Sequence, residues 1–564
     1  MILTGLVAQY GVNVPHWDQW DTPALALIQM GQGTLDFGDL FAQHNESRMV
    51  FPRLLWLALA SLGGWHVKRE MFFTLGLAGL VSLGLWRLSR QTLPLGPKGA
   101  LALWAMSNWL LFSLSQWDNW FWGLQFATVV PIACIVAGLL LLNTSQSPLV
   151  KVLGSGVLAT ISTFSFANGL LVWVVLLPTV AVVAWVERPR HRWLPLAWLG
   201  WMASATLIYF AGYQKPQGHP GLGEALGQPV KAVAFFLVYL GAPFGFGDRY
   251  AAAIFGLILL ILFALFCTFL GHRLVVKRDV VRFRQGLPWA AIGSYAVLSA
   301  LLTTAGRVGF GVDVALAPKY TTFSTVLAIA LLHGLSWMII ASPRTLSLRQ
   351  PLRFGALALA GMFLVGYGLT LAHGWRGLVK NYETRTYAKV CLMLINVVEV
   401  TDCVEAHNAL YPLRTVVEER SNLLQAQGLL RPLLLDDDIL KKFQISQPGS
   451  AHGVLDLFAP DGQGNFTAQG WAILPEQRRP APAVVLTYTT ASGITQPLQV
   501  IKVADLRPDV AAAVGQPYGR SGWQGTVLAQ ALPADAITLQ AWAFDVDTQT
   551  AYSLGSGHPI PALQ

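Results

Sequence analysis

Charge is scarce in this chain. Of its 564 residues only 12% are Asp, Glu, Lys or Arg, 54% are hydrophobic, and the mean hydropathy is +0.50. Too few polar residues remain to cover that much apolar surface, which excludes an ordinary soluble globule and predicts a polytopic membrane protein. The net charge of +9 does not point to nucleic acid, because the basic residues lie in short clusters between apolar runs. Arg188, Arg190, His191 and Arg192 form one such cluster, and Arg273, Lys277, Arg278, Arg282 and Arg284 another; clusters of this kind mark cytoplasmic loops. The opening MILTGLVAQYGV lacks a basic n-region and does not read as a signal peptide. It is also too short to span, so either the front of a first transmembrane helix precedes this start or the first helix is short and tilted. Cysteines number four. Cys134 and Cys267 fall in apolar runs and read as packing residues, while Cys391 and Cys403 fall in polar sequence and can pair if that region is extracytoplasmic.

Ten apolar runs, near 71–88, 99–115, 120–142, 150–166, 168–186, 193–212, 250–271, 286–304, 320–341 and 353–373, approach the length that crosses about 30 Å of hydrocarbon. Runs 51–65 and 230–245 are shorter. Laying both flat at the outer interface places Arg87/Arg90/Lys98, Lys151, the 188–192 and 273–284 clusters and Arg344/Arg349/Arg353 on the cytoplasmic side, with only Lys68/Arg69 exported. The tail after 373 is then outside. The expected fold is therefore a polytopic α-helical membrane protein of about eleven spans with interfacial helices, carrying a C-terminal extracytoplasmic β-sandwich. Residues 1–373 form the membrane domain, with 13–70 its first outer loop. Residues 374–449, at helical spacing with Pro412 and Pro432 as stops, form a helical linker domain. From 450 to 564 short alternating runs such as FTAQGWAIL, AVVLTYTT and ITLQAWAFDV, separated by Gly, Pro, Asp and Asn, read as the sandwich.

This threading gathers the remaining polar residues on one membrane face. They are Asp18, Asp21, Asp36, Asp39, His44, Asn45, Glu46 and Arg48 of the first loop, QWDN at 116–119, Asn168, and AGRVGFGVDVALAPKY at 305–320. Acids and bases beside a bilayer are costly unless a site holds them. Carboxylates, a histidine, arginines and aromatics converging from several loops predict one outward-facing polar pocket.

In WDQWD (17–21), PRLLWLALASLGGW (52–65), REMFFTLGLAGLVSLGLWRLSR (69–90), FAQHNESRMVFPRL (41–54), SQWDNWFWGLQ (115–125), FSFANGL (164–170) and GRVGFGVDVALAPKYTTFS (306–324), the chain resembles the GT-C superfamily of integral-membrane glycosyltransferases and a family of uncharacterised bacterial membrane proteins grouped with them. The resemblance runs over 13–373 and departs from the superfamily pattern in the missing first helix and in separated rather than adjacent acids. QGWAILP and DLRPDVAAAVG (505–515) resemble accessory β-domains attached to bacterial glycosyltransferases.

The resemblance implies inverting transfer of a sugar from a polyprenyl-phosphate donor to an envelope glycan, lipid or protein, on the outer face of a bacterial inner membrane. Such transfer needs a carboxylate to take the acceptor's proton and cations or donors to steady the leaving phosphate. Asp18 or Asp21 fits the base, Asp18 lying nearer the preceding helix; the alternative is a solvated interfacial loop between membrane-boundary tryptophans. His44, Asn45 and Glu46 fit an acceptor or divalent-cation site, or else a helix-capping turn. Arg307, Lys319 and Tyr320 fit the phosphate, with Arg48 and Arg53 as second choices; the alternative for Arg307 and Lys319 is snorkelling at a span end. Trp117, Trp120 and Trp122, with Asp118 among them, fit stacking on a sugar or polyprenyl chain, or an interfacial aromatic belt. Two other functions compete. A transporter or flippase of lipid-linked saccharides would place charges at mid-span, where this sequence has few; a non-catalytic envelope scaffold would need no pocket.

Overall fold

The computed structural model describes residues 2–187, 191–341, 349–405, 409–444 and 452–561. The basic positions Arg188, Arg190 and Arg344 lie outside the described residues. The chain divides into two units.

The first unit holds Leu35–Trp56 and Lys68–Leu378, with the N-terminal helix Ile2–Tyr10. Among the described residues six helices are long and apolar enough to cross a membrane: Val67–Thr92, Gly123–Leu142, Ala167–Trp185, Arg249–Val275, Val280–Phe310 and Pro318–Ala341. Pro148–Thr163, Leu194–Phe210, Val50–Ala60 and Pro229–Phe244 are shorter apolar helices. The last two are the runs expected to lie flat; eleven residues of helix, as in Val50–Ala60, reach only about 16 Å. The run expected over 99–115 yields the helix Pro97–Leu111 of 15 residues, after which the chain breaks into the short turns Leu114–Gln116, Trp117–Phe121 and Gly123–Gln125. Polar Ser113, Gln116 and Asn119 bond there instead of continuing a helix.

The helices pack around one apolar core in which Trp173, Trp198, Phe235, Tyr239, Phe266 and Trp289 are buried. Glycine sets the closest approaches. A Cβ at Gly241 would overlap the Ala252 carbonyl and one at Gly256 the Leu237 carbonyl, so the short helix Pro229–Gly241 lies directly on Arg249–Val275.

The division between the two units falls between Leu378 and Val379, five residues past the expected 373. The helix Arg349–Met393 runs 45 residues unbroken through the expected junction. Gly374 and Gly377 do not stop it; they are small because a Cβ there would meet the Leu114 carbonyl and the Trp117 indole.

The second unit comprises Val12–Thr34, Leu57–Val67 and Val379–Gln564. The expected first outer loop is thus divided, its two outer stretches folding with the C-terminal region. Long-range bonds do this: the Asn13 side chain donates to the Arg431 carbonyl (3.3 Å) and accepts from the Val67 amide (2.8 Å), Gln427 donates to the Ile28 carbonyl (3.1 Å), and the Trp65 amide donates to the Leu429 carbonyl (2.6 Å). Cys391 and Cys403, with Cα atoms 6.0 Å apart, are joined as a disulfide.

The β region has two sheets, antiparallel but for one short parallel pairing. One contains Gly453–Pro460, Phe466–Leu474, Arg479–Pro480 and Gly522–Val527; the other contains Phe443–Gln444, Ala483–Thr490, Thr495–Lys502, Ala536–Asp545, Thr550–Ser553 and His558–Pro559. Inward residues of both, among them Leu455, Phe466, Trp523, Leu486 and Leu539, share one core. Trp523 and Trp542 are buried, Trp542 donating to Thr487 (2.9 Å), whereas Trp471 is half-buried beside Val510 and Tyr518. Arg507 forks onto Asp509 and reaches Asp456, which makes RPD a turn pairing.

Candidate functional site

The strongest polar cluster of the first unit is built on the HNE turn. Gln43–His44 and Ser47–Arg48 pair as a two-stranded hairpin, and Asn45 makes the turn with φ 47°, a left-handed conformation that asparagine tolerates. The turn presents Glu46. Its partner in sequence is remote: Arg307, the last residue of the helix Val280–Arg307. Arg307 donates from Nη1 to Glu46 Oε1 (2.5 Å) and from Nη2 to Oε2 (2.7 Å), a bidentate fork. His219 places Nδ1 2.6 Å from the same Oε1. To bond a carboxylate that nitrogen must carry the proton. The three side chains are 30%, 20% and 22% exposed for Glu46, Arg307 and His219, so the cluster is neither buried nor freely solvated.

Surrounding groups fix the turn. The Tyr209 hydroxyl donates to the Glu46 carbonyl, and Gln43 exchanges two bonds with the Gln214 backbone, donating to its carbonyl (2.6 Å) and accepting from its amide (3.0 Å). These bonds tie the hairpin to the loop that carries His219. Burial pushes the Glu46 carboxyl up, but the bonds and charge of Arg307, and then of His219, outweigh burial and hold it at about 2. Burial and the Glu46 charge both raise Tyr213. Tyr320 lies within electrostatic reach of Arg307, and the Lys319 ammonium sits over the Tyr320 ring at 5.5 Å. Glu46, Arg307 and Tyr320 are thus brought together, and His219, Tyr209 and Tyr213 join them. Sequence reading missed the last three; the polar stretch YQKPQGHP at 213–220 was the available signal for Tyr213 and His219, while Tyr209, inside an apolar run, gave none.

Other expected residues have different partners. Arg48 donates to the carbonyls of Tyr209 (3.2 Å), Phe41 (3.0 Å) and Ala211 (2.6 Å), and Arg53 to those of Leu40 (2.9 Å) and Ala42 (2.6 Å). Both are buried, so a phosphate on either would compete with main-chain carbonyls. The His44 ring lies 3.2 Å from the side-chain nitrogen of its neighbour Asn45. Trp120 and Trp122 are buried, and Trp120 donates to the Ser113 carbonyl (2.9 Å), which removes its face from an open platform. Trp117 and Asp118 are half-buried, Trp117 lying against Gly377. A divalent cation does not fit here: both Glu46 oxygens are held by a guanidinium, and among the described residues no group of three or more His, Cys, Asp and Glu is arranged to hold one.

An apolar cavity of about 390 Å³ lies between helices of the first unit. Phe51, Pro52 and Ser165 line it, with Phe73, Phe126 and Leu140. Ser47, beside Glu46, accepts from the Ala167 amide (3.1 Å), and the Phe51 amide donates to the Phe164 carbonyl (3.2 Å). Segments next to the hairpin thus supply part of the lining, whereas Glu46, Arg307 and His219 are not among the lining residues.

The WDQWD acids belong to the second unit. Residues 18–21 form one helical turn entered through Trp17 at φ 46°, a conformation rare for a bulky side chain. Asp21 accepts from the Tyr411 hydroxyl (2.8 Å) and from Arg420 (3.0 Å), and Arg420 also donates to the Trp20 carbonyl (2.5 Å). Burial and this bond push Tyr411 up to about 12. Asp18 is half-buried and lies within the electrostatic reach of Tyr411. Arg385 bonds His16, in the segment leading into this turn, and the Ala409 carbonyl (2.9 Å). Asp21 thus anchors the turn to the C-terminal part of its unit, while Asp18 opens it.

These features define a helical membrane protein with a C-terminal β domain, a charged cluster and an apolar cavity. Comparison with protein-family models, curated proteins and solved structures returned no match.

Proposed function

We propose that this chain is a GT-C type glycosyltransferase that moves a sugar, with inversion, from a polyprenyl-phosphate donor to an envelope glycan, lipid or protein. In this reading it works on the outer face of a bacterial inner membrane, with the β domain extracytoplasmic. The observation that carries the proposal is the Arg307 fork, in a unit that also holds an apolar cavity. A guanidinium already holding two oxygens of one anion suits a phosphate, and an apolar space in the same unit suits the lipid attached to it. Asp18 or Asp21 is the general base in this reading, Asp18 lying nearer the preceding helix and Asp21 being held by Arg420 and Tyr411. Mass spectrometry of envelope glycans and lipid-linked sugars from a deletion strain tests this. Wild-type protein should restore a missing glycan, and Asp18→Asn should lower the rate by about 10²–10⁴-fold at equal membrane level. Unchanged glycans in the deletion strain would overturn the proposal.

One observation favours the flippase reading. His333, buried inside the apolar helix Pro318–Ala341, bonds Ser107 (2.9 Å) and stacks on Trp289 with ring centroids 3.9 Å apart. An ionisable group at that depth is the kind of residue transport pathways use. Movement of a fluorescent prenyl-phosphate sugar across proteoliposomes, lost in His333→Ala, would establish it over transfer.

A further inference from the structure

The Glu46 carboxylate occupies the edge of Arg307 that a phosphate would need. Both Nη atoms point at it, at 2.5 and 2.7 Å, and the carboxylate presents the same paired oxygens as a phosphate. An incoming anion must therefore displace the chain's own. Stripping a partly buried carboxylate of every partner is strongly unfavourable. His219 provides a second partner on a separate segment: it arrives on the 213–221 loop, bonds Oε1 at 2.6 Å with Arg307 Nη1 3.3 Å from the same nitrogen, and the loop is latched to the hairpin through Gln43 and Gln214. Glu46 stands at the tip of a two-residue turn, where rotation of one side chain suffices to leave the fork.

We propose that a prenyl-linked phosphate binds Arg307 by exchange with Glu46, and that His219 is a positioning residue that keeps the displaced carboxylate hydrogen-bonded. This rests on the reading of Arg307 as the phosphate ligand. The exchange makes Glu46 a built-in competitor: the fork stays neutralised until a phosphate arrives, and other anions of weaker or monodentate character are rejected. It also changes the state of Glu46, which in the occupied site has exchanged a guanidinium for an imidazole alone.

The test is binding of a ten-carbon prenyl monophosphate to the detergent-purified full-length chain, with the ten-carbon prenol and inorganic phosphate as separate arms. Glu46→Gln removes the competing charge and should tighten the prenyl phosphate by about tenfold or more. Glu46→Asp, one methylene shorter, should tighten it in the same direction and guards against a fold defect peculiar to the amide. His219→Ala should weaken binding by about three- to tenfold in the wild-type background and leave it unchanged in Glu46→Gln, because its effect runs only through Glu46. His219→Asn, which replaces the Nδ1–H donor, should restore it. Equal or weaker binding by both Glu46 variants would overturn the exchange while leaving Arg307 as a phosphate ligand, approached on another edge. Phosphate binding that survives Arg307→Gln, or no binding by any folded variant, would overturn the ligand assignment itself. Inorganic phosphate competing as well as the prenyl phosphate would show that the lipid adds nothing to recognition and would overturn the prenyl-linked part of the proposal.

Discussion

The Glu46–Arg307 pair has a measurable acid signature. In the folded chain the Glu46 carboxyl is held at about 2, against 4.5 for an ordinary glutamate. At about 1.4 kcal/mol for each tenfold change in proton affinity, the interval amounts to about 3 kcal/mol of differential stability at neutral pH. The group is 30% exposed, so this is an upper figure. The sign follows from the direction of the change. A depressed folded-state value means that the stabilisation is fully present above 4.5, where the unfolded chain is also ionised, and is lost as pH falls toward 2. At pH 3 about 1.4 kcal/mol should remain. Glu46→Gln cannot titrate, so its destabilisation relative to wild type should shrink by about 2 kcal/mol between pH 5 and pH 3, a window below the ordinary histidine range. The cost of leaving Arg307 unpaired is independent of pH in this range and cancels from the comparison. The assay is thermal denaturation of both proteins in the same detergent at pH 7, 5, 4 and 3, comparing the gap between them. A gap that stays constant from pH 5 to pH 3 would refute the pairing as the source of the low carboxyl value.

Two further outcomes follow from packing and covalent structure. On the helix Arg349–Met393, Gly374→Ala should destabilise by about 1–3 kcal/mol, since its Cβ meets the Leu114 carbonyl, which cannot move aside. Gly368→Ala on the same helix faces open space and should be neutral or gain up to about 1 kcal/mol; thermal shifts of the two proteins compared directly decide it, and equal effects would sink the packing argument. The Cys391–Cys403 disulfide closes a separation of 12 residues and should contribute roughly 2–4 kcal/mol. Non-reducing peptide mapping should recover the two peptides joined, and finding two free thiols would reject the bond.

Local pattern made much of the fold legible. The strands of the β domain follow the period-two alternation of FTAQGWAIL and ITLQAWAFDV, and the run read at 250–271 corresponds to the helix Arg249–Val275. Breaks were harder to see. The run at 99–115 looks continuous because Trp, Leu and Phe persist past Leu111, yet local bonding by Ser113 and Gln116 ends the helix there. The opposite happened at 374, where the expected domain junction lies inside a continuous helix and Gly374 and Gly377 are its contact surface. The difference lies in tertiary packing, which a glycine in sequence does not report.

The candidate site shows the same division between residue and partner. Glu46 and Arg307 each stand out locally, one in a polar turn and the other at a span end, but 261 positions separate them, and His219 is 173 from Glu46. Asp21 is 399 positions from Arg420. Position separates Asp18 from Asp21 only by its nearness to the preceding helix; the folded arrangement shows Asp21 held by an arginine and a tyrosine. Arg48 and Arg53 were misleading for a related reason, because the groups that hold them are carbonyls, and every residue supplies a carbonyl. An arginine aimed at side chains leaves a trace in composition, whereas an arginine aimed at backbone leaves none. The distinction bears directly on function. Arg48 and Arg53 have their donors on the scaffold that shapes the hairpin, whereas both terminal nitrogens of Arg307 meet a side chain that can be exchanged for a ligand. Arg307 is therefore the cation on which anion binding in the first unit should depend.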